Sequence, residues 1–467
     1  MSSRPASAVP SIFAGRSLGL AVTRLAWPII LENLFQSAIL LIDLLLVARL
    51  GAVAVAGVGT ATQIMWLVMS SASVVSIGAT ILIAQAFGRR DIAGAGHVTR
   101  QALVLAVLLG MVGMVLSPFS DLIIAALGPE PSVVRIGADY LRVNLLSFAL
   151  MNLMLVISAC LRGAGDSRTP MAVTGGITVV HAGAAYLLIF GVGDWAGLGA
   201  VGSAWAAAIA RGAGVAGLLA LLLRPASPLP VLGGRWRPDL PLMNRLLRLG
   251  TPAALEQIIL SFGFLVYSAM VIPLGTAAFA TQRISFNLMS LSFMPGLAYG
   301  LAATTLAGQA VGARRPDLAR RAAFIALVQA GALMSAAGVL FFFAGGWLMS
   351  FFTSDPTIIA LGADGLKVLA LCQPFWALGQ VMSGGLRGGG DTRYPMWVTM
   401  AGMWLLRLPL GYLFGIVWGF GLVGVYASSI FDAACRGLLN LYRFQRAAWL
   451  RAQPAPAHAV PAEAAGD

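Results

Sequence analysis

The chain has 467 residues, 59% hydrophobic and 10% charged, with a formal net charge of +13. So apolar a composition excludes a water-soluble globular fold, and its excess of arginine is read as charge that fixes membrane topology, not as a nucleic-acid surface. Lys367 is the only lysine and lies in no G-x-x-x-x-G-K-[ST] loop, so the phosphate cradle of an ATP-driven pump is absent and driven transport must draw on an ion gradient or a partner ATPase.

In chain order, a polar stretch over 1–20 carries Arg4 and Arg16. The apolar segment after it contains Glu32 and lacks a small-residue cleavage site, so a removed signal peptide is not expected. Apolar runs long enough to cross a bilayer core, roughly 20 helical residues each, predict helices over 22–48, 54–84, 100–126, 137–160, 170–191 and 198–223. A proline-rich interruption over 224–248 reads as a linker between an N-lobe, 21–223, and a C-lobe, 249–445. Six more helices follow over 249–273, 278–308, 321–346, 365–386, 395–417 and 420–443, and the Ala- and Pro-rich tail, 446–467, reads as disordered. The expectation is an all-α polytopic membrane protein of twelve transmembrane helices. Cys160, Cys372 and Cys435 have no metal-like spacing and read as packing residues.

The two halves repeat one another. At a shift of 224, Leu25, Pro28, Glu32, Gly51, Gln85 and Gly88 match Leu249, Pro252, Glu256, Gly275, Gln309 and Gly312. At a shift of 225, Leu161-Arg162-Gly163-Ala164-Gly165-Asp166 matches Leu386-Arg387-Gly388-Gly389-Gly390-Asp391. Six helices per repeat bring both halves in from the same side, which predicts a pseudo-two-fold axis along the membrane normal. Arginine placement fits this count. Arg4, Arg16, Arg24, Arg89, Arg90, Arg162, Arg168, Arg235, Arg314, Arg315, Arg387, Arg393 and Arg451 fall at one set of alternate connections, so both termini are expected to be cytoplasmic.

Ionisable groups inside a bilayer cost several kcal/mol, so each needs a reason. Glu32, Gln36 and Asp43 fall at i, i+4 and i+11, on one face of the first helix. That stripe suits a proton or cation site, with Na⁺ at Asp43 as one occupant; hydrogen bonding to neighbouring helices is the other reading. His181, alone in the fifth helix, could shuttle protons or simply pack. Glu256 answers Glu32 in the repeat, whereas Asp43 is answered by Tyr267, so the lobes are chemically unequal. Gln36, Glu256, Tyr267 and Asn287 are the candidates for lining a substrate cavity, with aromatic and methionine side chains around them. Arg407 needs a carboxylate or helix carbonyls, and Asp432 and Arg436, at i and i+4, could pair. Pro28 and Pro252 sit near helix starts, while Pro273, Pro295, Pro374 and Pro409 are candidate kinks. Asp166 and Asp391 can cap the next helix or pair with Arg168 and Arg393.

Leu25-Ala26-Trp27-Pro28 followed by Asp43, the doubled Gln85-Ala86-Phe87-Gly88 and Gln309-Ala310-Val311-Gly312, and the two Leu-Arg-Gly motifs resemble the multidrug and toxic compound extrusion (MATE) transporters, over about residues 20–445. The resemblance implies two six-helix lobes in a V and alternating access. It implies export of small organic, often cationic compounds in exchange for H⁺ or Na⁺, with no other cofactor. It also implies that Asp43 belongs to the coupling site, with Glu32 and His181 assisting, and that Pro28 lies at a bend responding to it. A monomer in a bacterial-type inner membrane is expected, with the lipid bilayer as its surroundings and no nucleic-acid partner. Three departures argue against a multi-carboxylate Na⁺ site and favour protons. Leu260 stands where many members carry a seventh-helix glutamate, His181 and Ala185 replace a fifth-helix Asn and Asp, and the middle of the tenth helix lacks a carboxylate. A flippase of a lipid-linked precursor is the alternative; it calls for several cleft arginines, for which Arg142, Arg211 and Arg407 are the span residues read as available.

Overall fold

In the computed structural model, which describes residues 17–224, 227–232 and 236–446, the secondary structure is helical apart from one isolated bridge between Val192 and Trp195. The leading segment up to residue 16 and the tail from residue 447, with Arg4, Arg16, Arg235 and Arg451, lie outside the described residues.

The first lobe contains α1 (Leu18–Ala48), α2 (Ala52–Gly88), α3 (Ile92–Leu116), α4 (Ser120–Ala125), α5 (Pro131–Leu146), α6 (Phe148–Ala164), α7 (Arg168–Phe190) and α8 (Ala200–Leu222). The second contains α9 (Leu240–Val271), α10 (Thr276–Gly312), α11 (Pro316–Ser350), α12 (Pro356–Gly388), α13 (Arg393–Ala401), α14 (Leu408–Tyr412) and α15 (Gly421–Gln445). Among the described residues ten spans are long and apolar enough to cross a bilayer, α3 with α4 and α13 with α14 each counting once; α5 and α6, bent by 49°, make an eleventh. The remaining rod, α10, has the length at 37 residues, but Thr281, Gln282, Ser285 and Ser292 on its buried face dilute the apolar run. With it the twelve expected rods are present in two six-helix lobes. Outward-facing Val115, Leu122 and Phe343 are largely exposed and need an apolar solvent.

Three boundaries differ from the sequence expectation. α9 starts at Leu240 and not at 249: the Asp239 carboxylate accepts from Leu242 N at 3.1 Å, and Pro241 sits in the first turn, where a missing N–H is harmless. The linker is correspondingly shorter and is strapped to α3, where Gln101 bonds Arg237 O and Asp239 N at 2.9 Å each. The fourth span breaks between α5 and α6 at Ser147. The eleventh is interrupted by π-helical turns at Gly402–Arg407 and Leu413–Val417, flanking Pro409, whose missing N–H disrupts the regular ladder. Pro28, Pro252, Pro295 and Pro374, in contrast, lie inside continuous helices.

The repeat is visible at the level of single turns. Gly165 and Gly390 take left-handed φ of 97° and 96°, letting Asp166 N and Asp391 N reach back to Leu161 O and Leu386 O. Asp166 then accepts from Arg168 N and Thr169 N and caps α7, whereas Asp391 caps through Tyr394 N and pairs with Arg443, not Arg393.

The leading helices are exchanged between lobes. Val22, Leu25, Ala26, Ile29 and Ile30 of α1 belong to the buried cluster of the second lobe, while Leu246 and Leu249 of α9 belong to that of the first. Small residues permit close crossings there: a Cβ on Gly88 would come within 2.0 Å of Gln309 O, and one on Gly312 within 2.1 Å of Gln85 O. These contacts lie at the end that carries Leu18 and Gln445. Farther along α1 and α9, Leu40, Leu41, Leu44, Phe262, Leu265 and Val266 are exposed. The lobes are clamped at the end bearing the start of α1 and the end of α15.

Candidate functional site

Asp43, His181 and Ser203 converge from α1, α7 and α8. Oδ1 of Asp43 lies 3.0 Å from His181 Nε2 and accepts from Ser203 Oγ at 2.5 Å. His181 is 1% exposed and its Nδ1 has no hydrogen-bond partner, so Asp43 is the ring's polar contact. Two bare acceptors do not settle at this distance; one proton lies between them, on the imidazole beside a carboxylate or on the carboxyl beside an imidazole. Arg211 and Tyr140 interact electrostatically with Asp43. Arg211 is held in turn by Asn144 Oδ1 at 3.1 Å and Ser147 Oγ at 3.2 Å.

Glu32 stands apart from this group, about 16 Å along α1 at 1.5 Å per residue. Both its oxygens accept from Arg162 Nη1, at 2.9 and 3.0 Å. Its repeat counterpart Glu256 accepts from Arg387 Nη2 at 2.6 Å and from Thr399 Oγ1 at 2.9 Å. The arginines of the two Leu-Arg-Gly motifs therefore hold the two span glutamates, a role the sequence reading did not give them. Neighbouring groups tie the lobes together. Gln85 Nε2 donates to Gly388 O and Gln309 Nε2 to Gly163 O, each at 3.1 Å, and Thr305 Oγ1 donates to Arg162 O at 3.1 Å.

The remaining candidates are dispersed. Gln36 is exposed on α1, and Asn287 is exposed on α10, where its amide donates to Arg283 O. Tyr267 is buried, donating to Val425 O at 3.0 Å beneath the Arg407 guanidinium, which stands 4.6 Å over its ring. Arg407 lies 3.8 Å from Asp432, which is also 2.9 Å from Arg436 Nε. Glu256, Arg407 and Arg436 line one cavity of about 100 Å³ within the second lobe. Ser203 was missed, because a lone hydroxyl in the alanine-rich α8 carries no signal beyond its duplicate, Ser428.

The MatE family profile matches residues 28–187 and 252–413, one stretch in each repeat. The "Probable multidrug resistance protein NorM" of Thermotoga maritima is 31% identical over 432 residues, covering 91% of this chain and 92% of that protein. Among solved structures, an outward-facing multidrug resistance MATE family transporter of the MOP superfamily superposes with a TM-score of 0.86 at 21% identity, covering 94% of this chain and 97% of its own. A MOP superfamily transporter from Pyrococcus furiosus, described as having a binding pocket of reverse polarity, gives 0.86 at 20% identity over 97% and 100%. With both repeats matched and a relative aligned nearly end to end, the chain belongs to the MatE family of membrane transporters.

Proposed function

We infer that the chain is a secondary active exporter of small organic compounds, not an enzyme, working by alternating access, and that protons exchanged at Asp43 and His181 drive it. The observation that carries the coupling ion is the 3.0 Å contact between Asp43 and His181, which needs one proton between the two groups. A hard cation would want several oxygen ligands. Asp43 instead has an imidazole, one hydroxyl and the nearby charge of Arg211, and among the described residues no three His, Cys, Asp or Glu side chains gather around an ion position. A second proton on the pair removes the reason for Ser203 and Arg211 to face a carboxylate. That change in preferred packing of α1 against α7 and α8 is the differential affinity an ion needs to shift a conformational equilibrium.

Glu32 and Glu256, each bound to an arginine, act in this reading as struts at the clamped end. Arginine placement in the sequence supports cytoplasmic termini; the clamped end is then cytoplasmic and the transporter faces outward, as a monomer in the inner membrane. Cationic substrates suit the exposed aliphatic and aromatic faces of α1 and α9 together with Gln36 and Asn287. Export is favoured over lipid flipping because the multidrug resistance relatives match nearly end to end, Arg142 is engaged by Asp121 and Asp139 and Arg211 by Asn144 and Ser147, and the cavity that Arg407 and Arg436 line, about 100 Å³, is too small for a lipid-linked head group. The test is efflux of a fluorescent organic cation from proteoliposomes under an imposed pH or Na⁺ gradient. A pH gradient should drive flux, and Asp43→Asn should lower it about ten- to a hundredfold, the usual size of a coupling free energy. Flux that follows Na⁺ alone, or that survives unchanged in Asp43→Asn, overturns the reading.

A further inference from the structure

The second lobe holds an unbalanced charge. Asp432 is fully buried on α15 between Arg436, 2.9 Å away, and Arg407, 3.8 Å away and 2% exposed. The other carboxylate at this cavity, Glu256, has both oxygens taken by Arg387 and Thr399, so it neutralises neither. Two guanidiniums thus share one carboxylate inside a membrane-spanning lobe, where an uncompensated charge is strongly disfavoured. Among the residues lining the cavity, the buried polar atoms without a hydrogen-bond partner are mostly donors, Arg407 Nε, Arg436 Nε, Trp376 Nε1 and Ser383 Oγ against Asn440 Oδ1, while the two Asp432 oxygens are within ion-pair range of the arginines but accept no hydrogen bond. Arg407 sits in the π-helical turn before Pro409, a distortion often found at binding sites. We propose that this cavity, between Arg407 and Arg436, binds one small monovalent anion, either a halide or the carboxylate of a transported compound. At about 100 Å³ it accepts a halide with a water or two, or a carboxylate head, but not a whole drug-sized molecule. Arg436, with a side chain 15% exposed, leaves a route in.

The site makes a prediction of opposite sign for two neighbouring residues. The purified full-length protein is titrated with chloride, acetate and sulfate at constant ionic strength, following thermal unfolding and tryptophan fluorescence. Saturable stabilisation by chloride or acetate is expected, since a ligand of the native state raises its stability by mass action. Arg436→Gln should weaken this binding about tenfold or more, and Asp432→Asn, which adds a positive charge to the site, should tighten it by about tenfold. A purely structural triad would respond to both substitutions alike. Saturation by chloride points to a halide, and saturation by acetate alone to the carboxylate of the cargo. An equal, non-saturating response to all three salts overturns the proposal. Crystals of the unaltered protein grown with bromide or bromoacetate, whichever parent anion saturates, provide a reading independent of any variant. An anomalous peak between Arg407 and Arg436 supports the site, and peaks elsewhere only would sink it.

Discussion

The two lobes present the same positions with opposite electrostatics. Asp43 and Tyr267 are repeat equivalents, as are Ser203 and Ser428, and Arg211 and Arg436. In the first lobe the carboxylate stands on α1, where Ser203 and His181 reach it. In the second, Tyr267 takes that position and donates to Val425 O; the carboxylate has moved to α15 as Asp432, where the first lobe has Ala207. Ser428, released from a carboxylate, turns to Val425 O at 2.7 Å. At the clamped end, by contrast, Glu32–Arg162 and Glu256–Arg387 remain alike. The two halves keep the glutamate–arginine pairs and differ in mid-span chemistry; in the function proposed above, a strut serves both lobes identically, while one coupling site is enough to bias a two-state rocking motion.

The struts offer the largest test of that division. Glu32→Gln and Glu256→Gln each leave a largely buried arginine without its carboxylate, and each should destabilise the protein by about 3–5 kcal/mol. Thermal unfolding should show comparable losses for the two. Replacing both members, as in Glu32→Met with Arg162→Met, should recover most of the loss, because the penalty lies in the orphaned charge. Equal destabilisation with rescue supports matched struts. A loss in transport from Glu32→Gln without loss of stability would move Glu32 into the coupling machinery beside Asp43.

A smaller asymmetry sits next to the same pair. Thr174 and Thr399 are repeat equivalents, but Thr399 donates to Glu256 at 2.9 Å whereas the buried Thr174 hydroxyl has no partner. Thr399→Val should cost about 1.5–3 kcal/mol, the range for a hydrogen bond to a charged group, while Thr174→Val should be neutral or stabilising. Denaturation of the two variants side by side checks this, and equal losses would refute the difference in geometry.

Much of this was readable from the chain. The twelve rods followed from apolar length, and the duplicated glycines and Leu-Arg-Gly motifs marked the equivalent turns. Asp43 and His181 were separately visible as ionisable groups in apolar helices. Their meeting was not, because it depends on how α1 and α7 are rotated, which periodicity leaves free. Glu32 and Asp43 share a helix face, yet a face is a long stripe, and the structure sets Glu32 against Arg162 and Asp43 against His181 and Ser203. The start of α9 was set too late because hydropathy marks the bilayer-crossing portion, whereas Asp239 and Pro241 mark the helix. The π-helical turns around Pro409 break the 3.6-residue period on which the span reading relied. The pairing of Glu32 with Arg162 crosses 130 positions of sequence, but both partners recur in the second half at nearly the same shift, and that coincidence was the available signal.

The smallest expected effect concerns the hydrogen bonds that join the lobes. Gln85 and Gln309 occupy equivalent positions and reach, crosswise, the carbonyls of Gly388 and Gly163, themselves equivalent. Both bonds run between the lobes and neither within one, so separating the lobes at the clamped end has to break them. Removing one therefore changes the balance between closed and open arrangements more than the stability of the fold. Gln85→Ala and Gln309→Ala should each shift that balance toward opening by about fivefold, the equivalent of ~1 kcal/mol for a buried neutral hydrogen bond. If the two contacts act independently the double variant should reach about thirtyfold. Distance distributions between spin labels at Arg89 and Ala313, equivalent positions just beyond α2 and α10, would read the shift directly. Equal responses would make the clamp a symmetric device laid over asymmetric lobes. A response confined to one glutamine would mean that divergence between the halves extends from the mid-span sites to the hinge itself.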